Sequence, residues 1–83
     1  MSITILYFAN LRETLGIERE TVELPITVQT IGDLREWLCA RGGNWNVLAG
    51  AQVRAALNQV LTMPDASIGA DDEVAFFPPV TGG

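Results

Sequence analysis

The residues best suited to do chemistry are the last two. The sequence closes on Val80-Thr81-Gly82-Gly83, and with Gly83 expected to be the true C-terminus its α-carboxylate is free. Neither glycine carries a β-carbon, so the pair can thread a channel too narrow for side chains. The carboxylate is then the one useful group at the tip. Chemistry there is acyl chemistry: a carboxylate is a poor electrophile and must first acquire a good leaving group. At average glycine usage two terminal glycines arise by chance in about 0.5% of chains. Termini usually fray without consequence, but the segment leading to this one is stiff and apolar, Val74-Ala75-Phe76-Phe77-Pro78-Pro79. Pro78 and Pro79 cannot donate to a sheet ladder and so end a strand. Paired prolines also favour an extended exit. The expected organisation is a folded domain over residues 1–79 and a flexible diglycine tail over residues 80–83, held away from the body.

Cys39 is the other reactive candidate and the only cysteine. It falls inside a predicted helix beside an apolar stripe, where free cysteines are commonly buried and inert, so it is read as a packing residue. With one cysteine and no histidine, transition-metal sites, iron–sulfur clusters and histidine-based nucleophilic triads lack their ligands and bases, and no metal site is expected. Ten acidic residues against five arginines, with no lysine, give a net charge of −5. Nucleic-acid binding rests on neutralising phosphates, so no nucleic-acid partner is expected. The acidic balance suits docking onto a basic partner, and equally suits a protein that is simply acidic. The apolar runs fall short of a membrane span and no basic leader precedes them. A cytoplasmic location without membrane contact is expected, and a lone thiol fits a reducing compartment.

The elements that must position the tail follow from periodicity. Residues 3–8 are β-rich, with Ile3, Ile5 and Tyr7 on one face and Leu6 and Phe8 on the other. A helical turn over residues 10–15 is stopped by Gly16. Residues 19–24 alternate as a half-buried strand. Thr30-Ile31-Gly32-Asp33 resembles a capping box. It opens the main helix, whose stripe is Ile31, Leu34 and Leu38 with Trp37, and Gly42-Gly43 stops it. Residues 44–50 read as loop or a weak helical turn, with Trp45 and Val47-Leu48 packing down. Residues 54–58 and 60–63 read as two short strands, and residues 73–77 as the last strand. Eighty-three residues allow one small domain with a modest core. The order predicts an α+β fold of the β-grasp kind, a mixed sheet wrapped around one main helix.

One face of such a sheet covers the helix, through Ile3, Ile5, Tyr7, Val74 and Phe76. The other carries Leu6, Phe8, Ala75 and Phe77. An apolar patch on an open sheet face marks a partner site, and the last strand sets Phe77 beside the tail exit. Hydrophobic content of 48% is high for so small a chain, which fits a surface that a partner covers.

The run Asp72-Glu73-Val74-Ala75-Phe76-Phe77-Pro78-Pro79-Val80-Thr81-Gly82-Gly83 resembles the C-terminal signature of the small, sulfur-carrier subunits of molybdopterin synthase, the MoaD-like family of ubiquitin-like β-grasp proteins. Leu6-Tyr7-Phe8-Ala9-Asn10-Leu11-Arg12-Glu13 is similar to that family's first strand and turn, and Ala56-Leu57-Asn58-Gln59 to its middle strands. The resemblance implies that an E1-like adenylating enzyme activates the Gly83 carboxylate with ATP. A sulfur source then displaces AMP to leave a thiocarboxylate. The large synthase subunit takes up the tail through Thr81 and Gly82, and sulfur passes to cyclic pyranopterin monophosphate to build the molybdopterin dithiolene. It also implies that Phe8, Leu61 and Phe77 contact the large subunit, that two small subunits sit on a dimer of large ones as a heterotetramer, and that the catalytic pocket belongs to the large subunit. On this view the chain is not an enzyme by itself and binds no cofactor, ATP being used by the activating partner.

Three other readings share parts of this pattern. A sulfur carrier for thiamine biosynthesis has the same fold and terminus; the Phe76-Phe77-Pro78-Pro79 run separates the two, being typical of the first family. A ubiquitin-like protein modifier would be joined to lysines on targets. This chain has no lysine and cannot build lysine-linked chains on itself. A β-grasp interaction module with an inert tail would be indifferent to loss of Gly82-Gly83.

Overall fold

The first and last strands of the chain lie side by side and run the same way. In the computed structural model, which describes residues 1–50 and 52–78, β1 (Ser2–Tyr7) pairs in parallel with β5 (Glu73–Phe77). A parallel pair cannot be closed by a hairpin and needs a crossover, so part of the chain between them must cross one sheet face. β2 (Arg19–Glu23) is antiparallel to β1 on the outside. On the other side β3 (Arg54–Leu57) is antiparallel to β5, and β4 (Val60–Thr62) to β3. The resulting order is β2-β1-β5-β3-β4.

Alternation in β1 and β5 sorts their side chains as the sequence predicts. Ile3, Ile5, Tyr7, Val74 and Phe76 are buried, and each is separated from the next by a half-buried residue of the opposite face. They meet the crossover helix α2 (Ile31–Cys39), which contributes Ile31, Leu34 and Leu38. The Thr30 capping box is formed: Asp33 N–H donates to Thr30 Oγ1 at 3.1 Å and Thr30 N–H to Asp33 Oδ2 at 3.2 Å. α2 is regular to Cys39, slightly before Gly42-Gly43. The chain then leaves it by tighter three-residue bonds, Arg41 N–H to Leu38 O and Gly42 N–H to Cys39 O, before Gly42 takes a φ of 79°. The segment after it forms a 3-10 helix, Gly43–Ala49, that buries Leu48 completely.

The helical turn after β1 is the seven-residue helix α1 (Ala9–Leu15), which buries Leu11 and ends at Gly16, φ 78°. Backbone bonds from Ile31 to Ala66, Gly32 to Pro64 and Ile68 to Gln29 tie the segment after β4 to the start of α2. Gly32 has a packing reason here, since a β-carbon would lie 3.3 Å from Pro64 O.

Candidate functional site

The parallel pairing of β1 and β5 brings the C-terminal ends of both strands to one edge of the sheet. Phe77 and Pro78 mark where the chain departs, and Phe8 follows β1 at the same edge. Phe8 is extended, with φ −117° and ψ 157°, and its N–H donates to Phe76 O at 3.1 Å. That bond carries the ladder one residue past β1 and sets Phe8 beside Phe77 on the outer face. The following residue, Ala9, has a φ of +52°. A non-glycine residue in the left-handed region is strained by roughly 1 kcal/mol or more. The strain turns the chain straight from strand into α1 and leaves Phe8 46% exposed.

Register arranges the outer face in rows. Leu6 pairs with Ala75, Ala75 with Ala56, and Ala56 with Leu61. The two alanines make a shallow floor between Leu6 and Leu61. In the next row, toward the tail, Phe8 stands beside Phe77 and Phe77 pairs with Arg54. Leu61 is 68% exposed, and Val60 and Met63 beside it are similarly open. All three expected docking residues, Phe8, Leu61 and Phe77, therefore share one apolar face at the tail exit. Thr81, Gly82 and Gly83, with Pro79 and Val80, lie outside the described residues, and what the structure places is their point of departure at Pro78.

Directly behind this face is a polar cluster that sequence reasoning missed. Tyr7, between Leu6 and Phe8 but pointing inward, donates from Oη to Glu20 Oε2 at 2.7 Å. Arg41 clasps the same carboxylate with both terminal nitrogens, at 2.9 and 3.0 Å. The Arg41 guanidinium lies 4.4 Å from the Trp45 ring centre and 5.3 Å from that of Trp37. Tyr7 meets Trp45 edge-on and stacks on Phe76. Burial first, then the hydrogen bond to the Glu20 carboxylate, pushes the Tyr7 phenol far above the usual tyrosine range. The cluster draws on β1, β2, the end of α2 and the 3-10 helix, and no local sequence signal links them.

Cys39 is half-buried in the helix layer, behind the sheet rather than on the outer apolar face. Burial raises its thiol pKa, with Glu36 adding to the rise and Arg35 opposing it. It stays a protonated, poorly nucleophilic thiol, in keeping with a packing role. Among the described residues no group of three or more histidine, cysteine, aspartate or glutamate side chains is placed to hold a metal ion. No helix among them is long and apolar enough to cross a membrane. A surface groove of about 360 Å³ is lined by Met1, Ile26, Val28, Gln29 and Ile68, none of whose side chains is an acid, base or nucleophile.

The sequence matches the ThiS family over residues 5–83. It is 39% identical over 82 residues to the molybdopterin synthase sulfur carrier subunit of Escherichia coli (strain K12), an alignment covering 98% of this chain and 99% of that protein. The protein of the same description from Haemophilus influenzae is 35% identical over 82 residues, again 98% and 99% of the two chains. Among solved structures, the putative molybdopterin converting factor, subunit 1, from Pyrococcus furiosus superimposes with a TM-score of 0.79 at 27% identity, over 96% of this chain and 99% of its own. The expected ubiquitin-like β-grasp fold is the one observed.

Proposed function

The chain belongs to the ThiS family, and we propose that it is the sulfur carrier subunit of a molybdopterin synthase. The observation that carries this reading is the match, over nearly the whole of both chains, to molybdopterin synthase sulfur carrier subunits. The parallel β1–β5 pair supports it by bringing the tail's departure point beside the Phe8–Phe77 face. Docking that face would aim the tail into its partner.

The working end is the Gly83 carboxylate. An E1-like partner transfers AMP from ATP to it, releasing pyrophosphate, and a sulfur donor then displaces AMP to give the thiocarboxylate. A thiocarboxylate ionises readily and puts nucleophilic sulfur at the end of a thin arm. Thr81 and Gly82 pass through the channel of the large subunit, and sulfur is delivered to cyclic pyranopterin monophosphate, two sulfurs per dithiolene. Tethered delivery of this kind contributes roughly 7–11 kcal/mol of barrier lowering through effective molarity. Phe8, Leu61 and Phe77 dock on the large subunit, two carriers per dimer of large subunits, in the cytoplasm. The chain itself supplies the acyl group and the docking face, and the large subunit supplies the pocket.

The test is the intact mass of the protein co-expressed with the activating enzyme and a sulfur source. Replacement of one oxygen by sulfur, localised to the Gly83 fragment, is the expected result. An unmodified mass, with the activating enzyme shown to work on another carrier, would reject it.

A further inference from the structure

The docking face is apolar at its centre, but its charges are sorted. The row nearest the tail is Phe8–Phe77–Arg54, with Phe8 set by its N–H bond to Phe76 O and Phe77 paired with Arg54. The next is Arg19–Leu6–Ala75–Ala56–Leu61, each neighbour fixed by strand register. Moving away from the tail, the following rows carry Glu73 opposite Thr4 and Glu23 opposite Ser2. The two arginines of the face thus lie in the two rows beside the tail exit, and its two glutamates in the two rows farthest from it. Glu23 is occupied by the amino terminus at 2.7 Å.

Neither Arg19 nor Arg54 forms an ion pair among the described residues, whereas Arg12 pairs with Glu18 and Arg41 with Glu20. Arg19 and Arg54 are both exposed, whereas Arg35, also outside any ion pair among the described residues, is half-buried on α2 and donates to Val53 O. Three strand spacings separate the strands of Arg19 and Arg54, which at about 4.8 Å each sets their backbones roughly 14 Å apart across the face. A chain of net charge −5 with only five arginines has therefore placed two of them, unneutralised, on either side of its apolar docking patch. Interfaces juxtapose opposite charges, which speeds encounter and fixes register.

We infer that the protein surface received by this face carries carboxylates opposite Arg54 and Arg19, so that this acidic chain docks as the local cation. The inference rests on the proposed pairing with a large synthase subunit and names the chemistry of that partner's contact surface. It reverses the expectation drawn from net charge, which suited a basic partner. Arg54 stands beside the Phe77 anchor and would be desolvated with it, whereas Arg19 sits at the β2 edge and acts mainly on encounter.

The test is the affinity and association rate of the full-length chain for the purified large subunit, for the wild type and for Arg54→Glu, Arg54→Gln, Arg19→Glu, Phe77→Ala and Glu36→Arg. Circular dichroism checks that each variant is folded, and the neutral Arg54→Gln serves if Arg54→Glu is not. Each charge reversal is expected to weaken binding about tenfold, Arg19→Glu mainly through a slower association rate. The losses shrink as ionic strength rises from about 0.05 to about 0.5 M and the screening length contracts. Glu36→Arg changes net charge by the same amount in the opposite direction but lies on α2, on the helix side of the sheet, and is expected to change affinity by less than about twofold. Unchanged or tighter binding by the arginine variants, with Phe77→Ala still weakened, overturns the inference and leaves the docking reading standing. Wild-type binding that is absent, or indifferent to Phe77→Ala, removes the docking reading and this inference with it.

Discussion

Tyr7 and Glu20 meet diagonally across the β1–β2 ladder, two residues out of register on the inner face, and the Tyr7 hydroxyl donates to the Glu20 carboxylate at 2.7 Å. Tyr7 is almost wholly buried and Glu20 half-buried. The bond, with Arg41 on the same carboxylate, pins the inner side of the sheet edge whose outer side carries Phe8 and Phe77.

Removing the two ends of that bond should not cost the same. Tyr7→Phe deletes the donor but leaves Glu20 with Arg41, and about 1 kcal/mol of stability is expected to go. Glu20→Ala strands the buried hydroxyl and releases Arg41, and a larger loss, about 1–3 kcal/mol, is expected. Urea unfolding followed by tryptophan fluorescence measures both, and equal losses would contradict the hydrogen-bond assignment.

The same phenol predicts an alkaline limit to stability. Its folded pKa lies above its unfolded value of about 10. Below that pH both states hold the proton and the contribution is intact. Above it the unfolded chain loses the proton while the folded chain keeps it, so stability falls as pH rises toward the folded pKa. Tyr7 is the only tyrosine, which makes phenolate absorbance a direct readout. It should appear together with the loss of circular dichroism, not before it, and Tyr7→Phe in a Cys39→Ala background should flatten the dependence.

Phe77→Ala is expected to weaken binding to the large subunit by about 2 kcal/mol or more, as truncation of a central aromatic anchor does. Its effect on folding should be small, because Phe77 lies on the outer face and Phe76, not Phe77, fills the core. Titration calorimetry and thermal melts separate the two, and unchanged affinity would discard the docking face.

One residue added after Gly83 should abolish thiocarboxylate formation while leaving the melting curve unchanged. The added residue moves the carboxylate out of reach of the activating site without touching the body. Mass spectrometry after co-expression reads the outcome, and full thiocarboxylation of the extended chain would refute the tail mechanism.

Thr30→Ala should cost about 1 kcal/mol, typical of losing an N-cap. The variant leaves Asp33 N–H without its acceptor at the start of the one helix that fills the sheet. A loss too small to measure by denaturant unfolding would mean that the loop bonds from Ile31 and Gly32 already hold that helix end.

Much of the site is legible from residue order because strands write their two faces at period two. Leu6 and Phe8 against Ile3, Ile5 and Tyr7, and Ala75 and Phe77 against Val74 and Phe76, sort correctly from alternation. Leu61 does not, since a three-residue strand is too short to show a period, and only the family resemblance points to it. The hairpin before it was equally opaque. Asn58 and Gln59 both adopt positive φ, and the turn is held from outside, by Asn58 Nδ2 on Asp72 and Glu73 N–H on Asn58 Oδ1. Nothing in the residue type at position 9 announces the left-handed alanine that exposes Phe8.

By itself the sequence determined most of the elements and their inward faces, and it raised the expectation of acyl chemistry at Gly83, because these depend on residue type, local period and the absence of competing groups. Tertiary structure decided which strands are neighbours, and so what the tail leaves beside. Backbone ladder bonds are the same for every residue, so alternation says which way Phe77 points but not that Phe8 and Arg54 flank it. That adjacency, and the buried Tyr7–Glu20–Arg41 clasp behind it, exist only once the crossover through α2 lays the last strand parallel to the first.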